Sequence, residues 1–176
     1  MIRRMYFVVI FSVMVLALGL QGTSSAEMPK PSEKDKCPVC GMPVAKYTNW
    51  IAVIEFKDGS HLFFDGPKDM FKFYFNMKKY GSHKTQADVA RIYVTEYYTT
   101  KMVDARDRDV YFVTGSSVKG PMGMELVPVK GRANAETFMK DHNGKKMLRF
   151  DEVTMKDIPM GMKGMKGMKG MKMKGM

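Results

Sequence analysis

The first half of the chain carries a hydrophobic pattern that predicts a β-hairpin followed by a helix. Apolar residues dominate positions 50–56 and 60–64, and an Asp-Gly pair between them is a turn sequence typical of hairpins. A Gly-Pro pair then precedes a predicted helix over 68–79, in which apolar residues recur at helical spacing. A β-branched and aromatic stretch at 89–103 predicts another strand, so the order is strand, strand, helix, strand.

The second half repeats this order of elements. Strands are predicted at 110–113 and 125–129, a helix at 133–142 that ends before an Asn-Gly pair, and a closing strand at 147–150. Two successive ββαβ units predict one small α+β domain. Its predicted limits are residues 37–153.

The residues before this domain are typical of an export signal. Arg3 and Arg4 precede an apolar run over 5–20, and a polar stretch of small residues ends at Ala26. We therefore predict a signal peptide over 1–26, with an uncleaved membrane anchor as the alternative. No cysteine follows the apolar run closely enough to carry a lipid anchor, so a soluble product is expected. Export places it in the periplasm, the expected location, or outside the cell.

Segments of biased composition flank the predicted domain. Residues 27–36 are rich in Pro, Lys and Ser and are predicted to form a linker. Residues 154–176 consist mainly of Met, Lys and Gly, which cannot close a core, so this tail is predicted to be disordered without metal. No acid–base pair, phosphate-binding loop or nucleophile–base pattern stands out, and we therefore predict no enzymatic activity.

Sulfur is concentrated at the start of the domain. Cys37 and Cys40 are the only cysteines, and Met42 lies two residues beyond them. Met122 and Met124 add thioethers in a Gly/Pro-rich turn, where a core role is not expected. Because thiolates and thioethers are soft ligands that select Cu(I), the sequence predicts a Cu(I) site built from these five residues.

Other interpretations of the Cys-Pro-Val-Cys segment remain open. A structural zinc site needs four ligands, and only His61, His83 and His142 are considered available to complete one. A redox-active pair of the thioredoxin type would have a helix beginning at the cysteines, which Gly-Met-Pro after Cys40 disfavours. A stabilising disulfide would gain little from so short a loop.

The tail and the net charge of +11 bear on partners. An exported protein rarely meets nucleic acid, so an anionic membrane surface or an acidic partner is the better explanation of the basic charge. Flexible Gly spacers would let several tail thioethers converge on one ion, which predicts weak Cu(I) collection. A disordered extension that is solubilising or touches a membrane is the alternative.

Several motifs together make the chain similar to the NosL family. The motifs span nearly the whole predicted domain, and taken together they match the pattern of that family. The motifs are Cys-x-x-Cys-Gly-Met at 37–42, Phe63-Phe64-Asp65, Gly120-Pro121-Met122-Gly123 before Glu125-Leu126-Val127-Pro128, and Leu148-Arg149-Phe150-Asp151-Glu152.

This resemblance implies a fold, a function and a ligand set. The implied fold is a duplicated ββαβ domain, similar to part of the organomercurial lyase fold. The implied function is that of a periplasmic Cu(I) chaperone for nitrous oxide reductase, working with an ABC-type copper maturation complex, and the implied ligands are Cys37, Cys40, Met42 and Met122. Copper sequestration or resistance, and thiol–disulfide exchange that supports a copper enzyme, are the alternatives.

Overall fold

The computed structural model describes residues 28–159. The predicted signal peptide and the tail from residue 160 onward lie outside the described residues. The elements, in chain order, are strands β1 (Ala52–Phe56) and β2 (His61–Phe64), helix α1 (Pro67–Phe75), strands β3 (Val89–Thr95), β4 (Met102–Asp104), β5 (Val110–Thr114), β6 (Lys119–Gly120), β7 (Gly123–Met124) and β8 (Val127–Lys130), helix α2 (Arg132–Asp141) and strand β9 (Lys146–Leu148).

The strands form two antiparallel sheets and one small hairpin. The first sheet has the order β2-β1-β3-β4, the second has the order β8-β5-β9, and β6 pairs only with β7. In both sheets the first strand lies inside, and a helix follows the second strand. The α+β fold predicted from the sequence is confirmed, whereas the duplication of one unit remains a prediction.

The predicted strand over 89–103 is wrong, because the chain turns back within it. Strand β3 ends at Thr95, and β4 pairs with it after the turn. The carboxylate of Glu96 accepts hydrogen bonds from the backbone N–H and the hydroxyl of Thr99, and Thr100 has a left-handed φ of 54°. A side-chain hydrogen bond therefore makes the turn without Gly or Pro.

The predicted helix over 68–79 and the predicted strand over 125–129 are both shorter in the structure. Helix α1 ends at Phe75, since Asn76 leaves helical geometry (φ −141°) before a separate 3₁₀ turn. Strand β8 begins only at Val127, because the buried side chain of Glu125 contacts the start of α1. The second of these differences matters for the site.

Aromatic packing fixes helix α1 between the two sheets. The ring of Phe71 lies 5.0 Å from that of Phe112 on β5 and 5.1 Å from that of Phe150. Phe73, on the same helix, packs 5.4 Å from Phe64 at the end of β2. Buried aromatic pairs of this kind add about 0.5–1.5 kcal/mol each beyond the area they bury. The start of α1 is thus held in place by both units.

Ordered contacts continue past the predicted domain limit at residue 153. Ile158 is only 6% exposed, and the hydroxyl of Thr114 donates to the backbone carbonyl of Asp157. Lys146 on β9 also pairs with the carboxylate of Asp157 at 2.7 Å. Within residues 28–159, no helix has the length and hydrophobicity needed to cross a membrane.

Candidate metal centre

The two cysteines lie on a tight knuckle formed by residues 37–42. The N–H of Cys37 donates to the carbonyl of Met42 at 2.9 Å, and the N–H of Gly41 donates to the carbonyl of Cys37 at 2.8 Å. Gly41 has a φ of +77°, a left-handed conformation that glycine adopts without steric cost. The knuckle therefore follows from the sequence Cys-x-x-Cys-Gly, and it presents both thiols to the same group of neighbours.

Two carboxylates, at the end of β2 and the start of α1, face these thiols. Asp65 directly follows β2, and its Oδ1 lies 3.2 Å from Sγ of Cys40. Asp69 lies in the first turn of α1, and its Oδ2 lies 3.8 Å from Sγ of Cys37. One ligand atom from each of the four residues lies within 4.8 Å of every other. In the described part of the chain this group brings together two sulfur and two oxygen donors at distances suited to one metal ion.

The four donors differ in their access to solvent. Cys37, Asp65 and Asp69 are 1%, 2% and 3% exposed, whereas Cys40 is half-buried. An ion therefore reaches the group from the side of Cys40. Only Cys40 in this cluster is open to a ligand from another protein.

Burial keeps both thiols protonated in the absence of a cation. Desolvation, reinforced by the neighbouring Asp65, raises the pKa of Cys37 to about 11. Desolvation also raises the pKa of Cys40, and the proximity of Cys37 and Asp65 adds to the effect. Since a metal binds the thiolate, an ion must displace a proton from each thiol that it uses.

Lysine side chains orient the carboxylates and the start of α1. Lys72 donates to Oδ1 of Asp69 at 2.7 Å, which leaves Oδ2 directed at Cys37. Such outer contacts fix the direction of a ligand and tune the affinity of a site. The carboxylate of Asp69 thus has one oxygen bound to protein and one available to an ion.

A second sulfur-bearing segment contacts the same helix turn. Met122 lies at the tip of the β6–β7 hairpin and is 46% exposed, and Met124 is half-buried on β7. The ammonium group of Lys68 donates to the backbone carbonyls of both methionines at 2.9 Å. Lys68 lies between Asp65 and Asp69 in the chain, so it ties the thioether hairpin to the segment that carries the two carboxylates.

Glu125 completes this connection from inside the protein. It is 2% exposed, accepts hydrogen bonds from the backbone N–H groups of Lys68 and Leu126, and lies 4.0 Å from the ammonium group of Lys68. Complete burial raises the pKa of Glu125 to about 8 despite the attraction of Lys68. A Cβ atom on Gly66 would lie 2.5 Å from Oε2 of Glu125, so the glycine makes room for this carboxyl group.

The structure distributes the five predicted ligands over two neighbouring segments. Cys37 and Cys40 lie in the four-donor cluster, and Met42 closes the knuckle through its carbonyl. Met122 and Met124 lie on the hairpin that Lys68 holds. Both segments contact residues 65–69. Among residues 28–159, the four-donor cluster contains no histidine; His61 contacts Phe63, and His142 contacts Tyr97 and Phe138.

Sequence reasoning missed four charged residues of this centre, and it disfavoured zinc on an incomplete set of ligands. Asp65, Lys68, Asp69 and Glu125 carry charge at positions that become buried. A charged residue before or within the first turn of a helix usually indicates a cap or a solvated face, so the pattern alone does not distinguish a ligand. Asp65 is 25 residues from Cys40 and Asp69 is 32 residues from Cys37, so the sequence does not show that these side chains are in contact.

Comparisons with known proteins agree with this fold. The family model described as NosL matches residues 28–158. The crystal structure of the copper chaperone NosL from Shewanella denitrificans has a TM-score of 0.63 and 23% sequence identity, covering 74% of this chain and 97% of that chain. The solution structure of the apo-NosL protein from Achromobacter cycloclastes has a TM-score of 0.45 and 21% identity, covering 61% and 87%. No curated protein matches this chain.

Proposed function

This chain belongs to the NosL family, and we propose that it is a periplasmic, non-enzymatic chaperone that binds Cu(I) and delivers it to an exported copper enzyme. The Shewanella structure that shares its fold is that of a copper chaperone. The resemblance makes nitrous oxide reductase the proposed client and an ABC-type maturation complex a proposed partner. The proposed location rests on the signal-like residues 1–26.

The observation that carries this proposal is the convergence of two soft-ligand segments on one helix turn. Cys37 and Cys40 place two thiols in the buried cluster, and Lys68 holds the hairpin of Met122 and Met124 beside the residues that line it. Thiolate and thioether sulfur are the ligands that favour Cu(I) over harder ions. The proposed ligands are therefore the cysteines together with thioethers from Met42, Met122 or Met124.

The exposure of these groups fits the release of copper as well as its capture. Cys37 is buried, whereas Cys40 is half-buried and Met122 is 46% exposed. A thioether binds without losing a proton, so its bond to copper does not depend on its own deprotonation. A ligand from the client can approach from the exposed side and replace Met122 first, while Cys37 still holds the ion.

The protonated thiols argue against the thiol–disulfide alternative. A redox-active cysteine reacts as its thiolate, and its pKa is usually lowered by a helix N-terminus or a positive neighbour. Here burial raises the pKa of Cys37 to about 11 and also raises that of Cys40. The thiols therefore suit metal capture, with loss of protons, better than exchange with disulfides.

An anaerobic Cu(I) titration against a competing chelator tests the binding step. The wild-type chain is expected to bind one Cu(I) tightly. Cys40→Ser should lower this affinity by more than the roughly 10–100-fold that loss of an outer-shell partner costs. Met122→Leu should lower it by less, and a chain ending at Pro159 should keep the tight site. Capacity that resides mainly in residues 160–176 would instead support copper storage.

Transfer to the client tests the delivery step. The Cu(I)-loaded chain is mixed with copper-free nitrous oxide reductase, and the copper spectra and activity of the enzyme are followed. Free Cu(I) held at the same activity by a chelator is the control. The proposal expects faster loading from the chaperone and slower loading from its Met122→Leu variant. Equal rates from chaperone and chelator would rule out delivery to this client.

A further inference from the structure

We propose that the thiol–carboxylate cluster also binds a divalent cation of the zinc type, through Cys37, Cys40, Asp65 and Asp69 and without any methionine. This inference goes beyond the Cu(I) chaperone role, because it concerns another ion and a different ligand set. It depends only on the four donors and their surroundings, and it holds whether or not the chain delivers copper.

The geometry of the four donors suits a tetrahedral ion. Zinc bonds of about 2.3 Å to sulfur and 2.0–2.2 Å to oxygen require ligand atoms about 3.4–3.8 Å apart. The Cys40–Asp65 and Cys37–Asp69 contacts are 3.2 and 3.8 Å, and no pair in the group exceeds 4.8 Å. Small side-chain movements therefore bring all four donors to bonding distance.

The number and type of donors are those of a closed zinc site. Zinc accepts cysteine sulfur and aspartate oxygen, and its structural sites are four-coordinate. The sequence argument against zinc depended on the absence of a third and a fourth ligand other than histidine. Asp65 and Asp69 supply these two ligands from the end of β2 and the first turn of α1.

The charge of the cluster favours a divalent ion over a monovalent one. With both thiols deprotonated, the four donors carry four negative charges in a pocket where three of the residues are at most 3% exposed. Zn(II) neutralises two of these charges and binds the carboxylates directly. Cu(I) neutralises one charge and prefers sulfur, so it leaves both carboxylates as uncoordinated anions in the interior.

The surroundings of Asp69 indicate a prepared ligand. Lys72 occupies one oxygen of Asp69 at 2.7 Å, and the other oxygen faces Cys37. This arrangement sets the carboxylate for binding through a single oxygen, as outer contacts do in established metal sites. The same ammonium group offsets part of the negative charge when the cluster is loaded.

Zinc titration of the reduced, metal-free chain against a chromophoric chelator tests the proposal. The wild type is expected to bind one Zn(II), and Asp65→Asn and Asp69→Asn should each weaken binding by at least about tenfold. Met122→Leu should leave zinc affinity unchanged while it weakens Cu(I) binding. Asp157→Asn is the matched control, because its carboxylate contacts Lys146 and Thr154 instead of the cluster.

A spectroscopic measurement on the wild type avoids dependence on variants that fold poorly. X-ray absorption of the zinc-loaded chain should show two sulfur and two oxygen neighbours. A shell of sulfur alone, or zinc affinity that is equal in wild type and Asp65→Asn, would overturn the proposal. A Cu(I) titration of the same protein distinguishes the Cu(I) chaperone proposal from the Zn(II) proposal. Zinc binding without tight Cu(I) binding would contradict only the chaperone proposal.

Discussion

Helices α1 and α2 each pack beside one of the two sheets but differ in what they bury. Each follows an edge strand of its sheet and leads to the strand on the other side of the central one. Helix α1 buries Lys68 and Asp69 in its first turn along with its apolar residues. Helix α2 buries only Ala135 and Phe138, and its charged residues face solvent. The same order of elements therefore buries charge at the start of α1 and leaves it solvated on α2.

The difference shows where the protein departs from the arrangement that stability alone favours. Burying a charged side chain is unfavourable unless it is paired and hydrogen-bonded, and such a pair is often no more stable than apolar residues of the same size. The first turn of α1 nevertheless holds a lysine against Glu125 and an aspartate against a thiol. Its charges position the proposed metal ligands, whereas those of α2 provide a solvated surface.

The largest effect is expected from Lys68→Met, which keeps the length of the side chain and removes its ammonium group. The carbonyls of Met122 and Met124 lose their donor, and Glu125 loses its cation inside the protein. Because burial raises the pKa of Glu125 to about 8, its carboxyl group remains largely uncharged at pH 7, and the loss comes from the two carbonyls left without a donor, at about 1–3 kcal/mol of unfolding free energy each. Urea unfolding of the metal-free chain measures this loss.

Arg132→Met on α2 is the matched control for that variant. The Arg132–Glu136 pair is 69% and 51% exposed, so its loss should cost less than about 1 kcal/mol. Equal losses in Lys68→Met and Arg132→Met would contradict the contrast between the two helices.

An intermediate effect is expected from pH, through the thiol of Cys37 beside helix α1. Burial raises the pKa of Cys37 from 9.0 to about 11, so the folded chain keeps this proton after the unfolded chain has lost it. The contribution to stability is complete below pH 9 and is lost as pH rises to about 11. Its upper limit is about 3 kcal/mol, since one pKa unit corresponds to about 1.4 kcal/mol.

The difference in stability between wild type and Cys37→Ala measures this contribution together with the effect of Cys37 on the pKa of Cys40. Both proteins are unfolded with urea at several pH values from 8 to about 10.5, with a reductant and a metal chelator present. Tyrosine and lysine titrations elsewhere affect both proteins alike. The difference should shrink as pH rises, and a difference that does not change with pH would show that the thiol is not shielded as the structure indicates.

The sequence predicts best what short segments determine by themselves. The Asp-Gly turn between β1 and β2 and the Gly-Pro start of α1 are local features, and the structure contains both. The turn after β3 was missed because Thr99 and Thr100 look like strand residues, and the carboxylate of Glu96 is what stabilises the turn. A hydrogen bond of this kind leaves no hydrophobic pattern in the sequence.

The candidate centre was predictable only in part, for a related reason. Sulfur chemistry identifies Cys37 and Cys40 as candidate metal ligands, because thiolates are soft ligands. Asp65 and Asp69 are recognisable as candidate ligands only in the folded protein, where packing of α1 brings their carboxylates to the thiols. Lys68 looks like an ordinary surface residue until the β6–β7 hairpin covers it. Such contacts depend on tertiary structure, which the local sequence does not encode.

The smallest effect is expected from the exposed ion pair on α2. A double-mutant cycle with Arg132→Ala and Glu136→Ala should give a coupling of about 0.3–0.5 kcal/mol, which added salt reduces. The same variants should leave the affinities for Cu(I) and Zn(II) unchanged, because neither residue contacts the knuckle, the hairpin or the start of α1. A change in metal affinity greater than about twofold would mean that α2 is coupled to the centre. In that case charged residues on both helices would affect metal affinity, those on α1 by direct contact and those on α2 through the packed core.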